Sequence, residues 1–345
     1  MTIGILSAGG DCPGINATIR GVGKTAVHHY GMEVVGICEG FQGLLHNEFI
    51  SLDDKSLSGL LSLGGTVLGT SREKPFKKVL DGSDDTKSRA IVENYKKSGL
   101  DCLVCIGGNG TQKTAGKLSR LGLNVVGIPK TIDNDVYGTD VTFGFHTAVD
   151  IATEAIDRLH STASSHKRVM VIELMGHKAG WITLYAGMAG GADVILLPEL
   201  GYDINKVTQA ILDRAKKGKP YSIVAVGEGL EPEPDGDGDG DKSISSVARL
   251  SKLIENSTGL ETRETILGYV QRGGSPSAFD RNLATRLGGH ATELIAEGKF
   301  GRMVALTGDR ITSVPLDKVA GKLKLVSPNH DLIVQGKRMG ISFGI

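Results

Sequence analysis

Asp101-Cys102-Leu103-Val104-Cys105-Ile106-Gly107-Gly108-Asn109-Gly110-Thr111 is the stretch on which the fold reading turns. Leu100–Ile106 is a short apolar run and reads as a buried strand. Gly107-Gly108-Asn109-Gly110 then makes a turn in which only Asn109 carries a side chain, and Thr111–Leu121 continues with helical spacing. Backbone N–H groups and a helix N-terminus at such a turn can cradle a phosphate, because nothing bulky blocks its approach.

The same unit repeats on either side. Thr2–Ser7 reads as a strand, followed by the turn Gly9-Gly10-Asp11 and a helix over Asn16–His29. Glu33–Glu39 and Asn124–Ile128 are further strands, and helices are expected near Leu57–Leu61 and Ser88–Lys97. Val149–Ser161 is a long helix with Ala152, Ala155, Ile156 and Leu159 on one face. Beyond it come Arg168–Leu174 (strand), Trp181–Ala189 (helix), Val194–Leu197 (strand), Ile204–Lys217 (helix) and Ser222–Val226 (strand). Strands alternating with helices predict an α/β class with mostly parallel sheets. The resumption after residue 168 predicts two similar domains with a cleft between them. Ligands in such sheets bind beyond the carboxyl ends of the strands, where Pro129-Lys130-Thr131-Ile132-Asp133-Asn134-Asp135 also falls.

Composition narrows the function. The chain has 345 residues, with 39 Lys+Arg against 39 Asp+Glu. That balance argues against nucleic acid or an anionic membrane as partner. No apolar run approaches the roughly 18 residues that span a bilayer, and the start lacks the features of a signal peptide, so a cytoplasmic location is expected. Glycine is in excess, 49 residues, roughly twice ordinary usage. Cys102 and Cys105 spell C-x-x-C, but strand alternation sends them to opposite faces, which disfavours a shared metal. Glu231–Asp241, EPEPDGDGDGD, opens like a calcium loop; Ser246 stands where the bidentate Glu is required, so a solvated acidic loop is expected.

Two motifs are decoys. Gly9–Gly14 is not the dinucleotide fingerprint, and Gly23-Lys24-Thr25 lacks the earlier glycine of a P-loop, since position 18 is threonine. The combination of motifs says more. Gly64–Arg72 brings Arg72 after a glycine turn, suited to bridging phosphoryl oxygens. Asp133 and Asp135 place two carboxylates beyond a strand, one able to act as base on a hydroxyl. Arg168, Arg263 and Arg272 recur in loops. Together these are the parts for phosphoryl transfer to a phosphorylated acceptor.

In order along the chain, Gly9-Gly10-Asp11-x-Pro13-Gly14-x-Asn16, Gly107-Gly108-x-Gly110-Thr111, Pro129-x-Thr131-Ile132-Asp133-Asn134-Asp135 and Thr142-x-Gly144-Phe145 are followed by Ser165-His166-x-Arg168, Met175-Gly176, Leu267-Gly268-x-x-Gln271-Arg272-Gly273-Gly274-Ser275-Pro276 and Asp280-Arg281. This set resembles the 6-phosphofructokinase family, bacterial type, over nearly the whole length. The resemblance implies two three-layer α/β domains. Residues 1–145 with about 272–305 would bind the phosphoryl donor, and about 146–271 with 306–345 would bind fructose 6-phosphate. It implies transfer to the 1-hydroxyl of fructose 6-phosphate, giving fructose 1,6-bisphosphate, with Asp133 as general base beside Thr131, Asp135 and Lys130. Arg72 would bridge the transferring phosphate, and Gly9, Gly108, Asn109, Gly110 and Thr111 would hold the donor. Arg168, Met175, Gly176, His177, Glu228, Arg263, Tyr269 and Arg272 align with the sugar-phosphate site. Mg2+ is the implied cofactor, with Asn109 and Asp135 as its candidate ligands. Two of the arginines reach in from a neighbouring subunit in bacterial relatives, which implies a homo-oligomer, a tetramer or else a dimer.

The family divides by donor. Gly110 stands where pyrophosphate users resemble Gly-Gly-Asp-Asp, and it leaves space for ATP. Lys130 stands where typical ATP enzymes carry glycine and pyrophosphate enzymes carry lysine. Gly110 with Lys130 resembles a mixed subgroup of mostly ATP-dependent members, so ATP is the expected donor and pyrophosphate the alternative. Asn109 replaces a magnesium-associated aspartate, and His177 replaces an arginine. These two departures motivate a third reading, a weakly catalytic sugar-phosphate sensor or regulatory subunit. Arg20 and Glu199 match parts of the bacterial effector site, where Lys24 and His160 replace arginines.

Overall fold

The computed structural model describes residues 1–76, 86–231 and 245–345; nearly all of the acidic segment Glu231–Asp241 lies outside them. Its strands, in chain order, are β1 (Thr2–Ala8), β2 (Glu33–Ile37), β3 (Phe49–Ser51), β4 (Cys102–Gly107), β5 (Val125–Pro129), β6 (Val169–Leu174), β7 (Val194–Leu196), β8 (Ser222–Gly227), β9 (Thr262–Ile266), β10 (Arg302–Thr307) and β11 (Arg310–Pro315). They fall into two units, Met1–Thr147 with Arg272–Lys324 and Ala148–Gln271 with Leu325–Ile345.

The first unit carries a seven-stranded sheet of order β11-β10-β5-β4-β1-β2-β3. Its five inner strands pair in parallel, and only the edge strands β3 and β11 run antiparallel. Every residue of β4 is buried, as a strand covered on both faces requires. Leu6, Leu103, Val125 and Met303 from successive strands join Phe41, Leu118 and Leu316 in one core. Helices Ile15–Tyr30 and Ala278–Ala296 pack together through glycines. A Cβ on Gly21 would lie 2.9 Å from the Thr285 carbonyl oxygen, and one on Gly288 2.8 Å from that of Thr18. Part of the glycine excess is therefore close helix packing.

The second unit holds a four-stranded parallel sheet, β7-β8-β6-β9. Val171, Leu196 and Val224 bury one face of it with Val207, Ile211, Leu250 and Ile254 of the helices.

The structure departs from the sequence reading at several places. Arg263, expected in a loop, lies on β9, where it pairs in register with Met170 of β6. Residues 306–324 belong to the first unit, not the second, because β11 turns back antiparallel on β10 over the whole register Arg302↔Pro315 to Thr307↔Arg310. The helix expected at Leu57–Leu61 is instead a set of turns ending in one 3-10 turn, Leu60–Ser62. Gly59 takes φ 77° there, a left-handed residue that a helix cannot pass through. Gly23-Lys24-Thr25 lies inside the helix Ile15–Tyr30, where Lys24 pairs with Asp54.

Candidate active site

From β1 the chain crosses to β2 on one side and later to β4 on the other. The crevice beyond the ends of β1 and β4 is thus a topological switch point, where doubly wound sheets bind ligands. Gly9-Gly10-Asp11 follows β1, Gly108-Asn109-Gly110 follows β4, and Thr131–Asp135 follows β5. All three loops line one cleft of about 210 Å³ within the first unit, together with Lys130 and Arg272. Helix Asn109–Arg120 opens at its edge with no acidic residue in the first turn, so its N-terminal N–H groups and dipole favour an anion. Gly9, with φ 87°, is held by Gly9 N–H donating to Ser71 O at 2.9 Å and by Thr70 Oγ1 donating to Gly9 O at 2.7 Å.

The loop bearing the carboxylates is tied internally. Asp133 N–H donates to Thr131 Oγ1 at 3.1 Å, and Thr142 Oγ1 donates to Thr131 O at 2.7 Å. Asn134 sits at φ 53°, with its Oδ1 accepting from Thr142 N at 3.1 Å. Lys130 is buried, and its ammonium donates to Gly10 O. Burial lowers its pKa, and Arg272 adds to this, while Asp133 and Asp11 oppose it. Cys12 is buried too, which pushes its thiol up to about 12 and keeps it neutral.

Asn109 Nδ2 donates to Asp135 O at 3.3 Å, whereas its buried Oδ1 has no hydrogen-bond partner among the described residues. That orphaned oxygen faces the need of a hard cation for oxygen donors, and Asp133 and Asp135 line the same cleft. Among the described residues no three His, Cys, Asp or Glu side chains converge on a metal position. A divalent ion here would lean on few protein ligands plus phosphate and water, the usual manner of magnesium.

A second cavity of about 440 Å³ shares Gly9, Gly110 and Thr111 with the cleft. Phe41, Arg72, Phe76, Lys113 and Lys117 line its remainder, with the Lys117 ammonium 4.8 Å from the Phe76 ring centre. An added Cβ on Gly110 would meet nothing within 4 Å, so a side chain there would project into this joined space.

In the second unit the expected sugar-phosphate residues divide. Arg168 precedes β6, and its Nε pairs with Glu261 Oε2 at 2.7 Å; Glu261 also pairs with Arg263 on β9. The Arg168 guanidinium above all, helped by Arg263, holds the Glu261 carboxyl below its usual range. Met175, Gly176 and His177 follow the other end of β6. There Glu228 Oε1 accepts from Gly176 N at 3.3 Å and His177 N at 2.6 Å, and Gln271 Oε1 accepts from Met175 N at 3.3 Å. Tyr269 is 73% exposed, just past β9. The six residues of β6 separate Arg168 from Met175, about 23 Å of extended backbone, and Arg263 is in register with Met170 near the same end as Arg168, so both arginines lie towards the end of the strand away from their own chain's Met175–His177 loop. Arg272, expected with this group, lines the first unit's cleft instead. Of the effector-like positions, Glu199 accepts from Gly180 N and Val326 N, and His160 Nε2 donates to Gly190 O at 2.7 Å.

Lys113 and Lys117 line the second cavity without having been singled out from sequence. Asp11 and Asn16 stand in the first quoted motif, but no role was read for either. Asp11 lines the cleft, and the Asn16 amide holds the loop leading to Arg72, donating to Leu63 O and Gly64 O and accepting from Val67 N.

Three comparisons bear on this geometry. Residues 2–295 match the family model described as Phosphofructokinase. An ATP-dependent 6-phosphofructokinase 3 of Bacteroides thetaiotaomicron is 66% identical, covering 100% of both chains. A pyrophosphate–fructose 6-phosphate 1-phosphotransferase of Streptomyces coelicolor is 47% identical over 95% of this chain and 97% of its own. Among solved structures, the phosphofructokinase of Saccharomyces cerevisiae is similar with a TM-score of 0.79 and 32% identity, covering 92% of this chain and 45% of that one.

Proposed function

The chain belongs to the phosphofructokinase family, and from that premise we propose that it transfers a phosphoryl group from ATP to the 1-hydroxyl of fructose 6-phosphate, yielding fructose 1,6-bisphosphate. The observation that carries the donor assignment is the continuity of the cleft with the larger cavity at Gly9, Gly110 and Thr111. Pyrophosphate needs the cleft alone. A nucleotide also needs a chamber for its nucleoside, and the aromatic and cationic walls of the second cavity supply one.

Asp133 takes the proton of the attacking hydroxyl. The N-terminus of the Asn109–Arg120 helix and Arg72 stabilise the donor's phosphoryl oxygens, and Lys130 adds a fixed cation beside them. Asn109 Oδ1 and Asp135 are the residues that would hold magnesium, which when bound neutralises phosphate charge. On the acceptor side, the Met175–His177 loop and Glu228 receive the sugar phosphate. Arg168 and Arg263 serve a neighbouring copy, a reading supported by their place at the far end of β6 and implying a homo-oligomer, a tetramer or else a dimer. No described helix is long and apolar enough to cross a membrane, and the cytoplasm is the proposed location.

Lys130 favours one second reading, pyrophosphate as donor, since a buried cation can replace part of what nucleotide contacts provide. The base assignment is tested by Asp133→Ser. Turnover should fall about 10³-fold or more, with fructose 6-phosphate binding changed by less than about threefold. Unchanged turnover would remove Asp133 from the role.

A further inference from the structure

A lysine outside every recognised motif is bound into the loop that carries Asp133. Lys324 Nζ donates to three acceptors: Asn134 Oδ1 at 2.8 Å, Asp140 O at 2.7 Å and Thr139 O at 3.1 Å. An ammonium has three protons, so each has an acceptor. Its backbone adds a fourth tie, Lys324 N–H donating to Asp135 O at 2.8 Å, beside an antiparallel bridge from Leu323 to Val136. Asn134 lies between Asp133 and Asp135, and it is the residue held at φ 53°. Asparagine reaches that conformation more readily than other residues with a side chain, and the contacts of its Oδ1 with Lys324 Nζ and Thr142 N hold it there.

The other two acceptors are anchored to the sheet. Asp140 N–H donates to Leu306 O at 2.9 Å, Leu306 N–H donates to Thr139 Oγ1 at 3.0 Å, and Gly308 N–H donates to Asp140 Oδ2 at 2.7 Å. Leu306 belongs to β10, so Lys324 connects the end of a buried strand to the amide of Asn134. Burial pushes the ammonium down to about 8, a cost that a surface lysine does not incur.

We infer that Lys324 is a positioning residue for the phosphoryl transfer, acting through Asn134 to fix the Asp133–Asp135 loop against β10. The inference rests on the function proposed above. Misplacing a reacting group by about 1 Å can cost roughly 100-fold in rate, and that loss should appear in kcat, because Lys324 lines neither cavity.

The test compares wild type, Lys324→Met, Lys324→Arg, Asn134→Gly and the double variant Lys324→Met/Asn134→Gly, with Lys322→Met as a neighbouring control. Glycine keeps the left-handed conformation available while deleting the acceptor. Lys324→Met should lower kcat by about 10- to 100-fold with both KM values within about threefold. Lys324→Arg, which keeps a cation and N–H donors, should retain more kcat than Lys324→Met. In the double variant the losses should multiply incompletely, because the two changes share the Lys324–Asn134 contact. A kcat within twofold of wild type, equal losses for Arg and Met, losses that multiply in full, or a Lys324→Met chain unfolded at the assay temperature would each overturn the inference. A wild-type chain without turnover would overturn the functional reading and this inference with it.

Discussion

Arg168 and Met175 flank the same strand, β6, one at each end. Their backbones are about 23 Å apart on extended geometry, yet both belong to the residue set expected around one sugar phosphate. The proposed homo-oligomer would resolve the conflict, one copy giving the Met175 end and the other the arginines.

That arrangement predicts complementation between two inactive variants. Asp133→Ser and Arg263→Ala, each crippled alone, should regain roughly one quarter of wild-type activity when co-expressed as mixed oligomers, since random assembly leaves some sites with both groups intact. Mixed oligomers with no recovery would place base and arginine in the same copy's site.

The open space at Gly110 makes a donor-selective prediction. In Gly110→Asp a carboxylate about 4 Å from a nucleotide phosphate would cost about 4 kcal/mol at an effective dielectric of about 20. The kcat/KM for ATP should therefore fall at least about 100-fold, and any pyrophosphate-driven rate by less than about tenfold. Equal losses with both donors would refute the steric and electrostatic role of Gly110.

The core of the fold was legible because its signal is local. Cys102–Gly107 is apolar at almost every position, and Gly108 and Gly110 follow at once, so strand, turn and phosphate cradle could be read together. The same holds for Thr131–Asp135. What stayed hidden depends on distant backbone. Lys324 acts on carbonyls some 185 residues away in sequence, Asn16 organises a loop about 50 residues on, and neither pairing leaves a periodic trace. The Leu57–Leu61 error has a different origin. Leu57 and Leu60 are buried and mimic a helical stripe, but Gly59 breaks the backbone between them. The opposite placement of Arg168 and Met175 was already implicit in reading Arg168–Leu174 as a strand, and the register of β6 with β8 and β9 bears that strand out.

Asp280 yields a stability prediction. Its buried Oδ2 accepts from Thr147 N at 2.8 Å and Thr147 Oγ1 at 2.6 Å. Asp280→Ala strands both donors and should cost about 2–4 kcal/mol; Asp280→Asn keeps an acceptor and should cost less. Burial raises the Asp280 pKa above its ordinary 3.8. A raised folded pKa gives stability that is complete below 3.8 and is lost as pH rises through the folded value. The wild-type melting temperature should therefore carry a decline in that window that Asp280→Asn lacks. Identical pH profiles for the two proteins would contradict the assignment.

The most direct test of the whole account is a pair of initial-rate series with fructose 6-phosphate and magnesium, one with ATP and one with pyrophosphate. The joined cavity at Gly110 predicts that kcat/KM for ATP exceeds that for pyrophosphate by at least about tenfold. A pyrophosphate rate equal to or above the ATP rate would contradict it, and would make Lys130 rather than Gly110 the residue that chooses the donor.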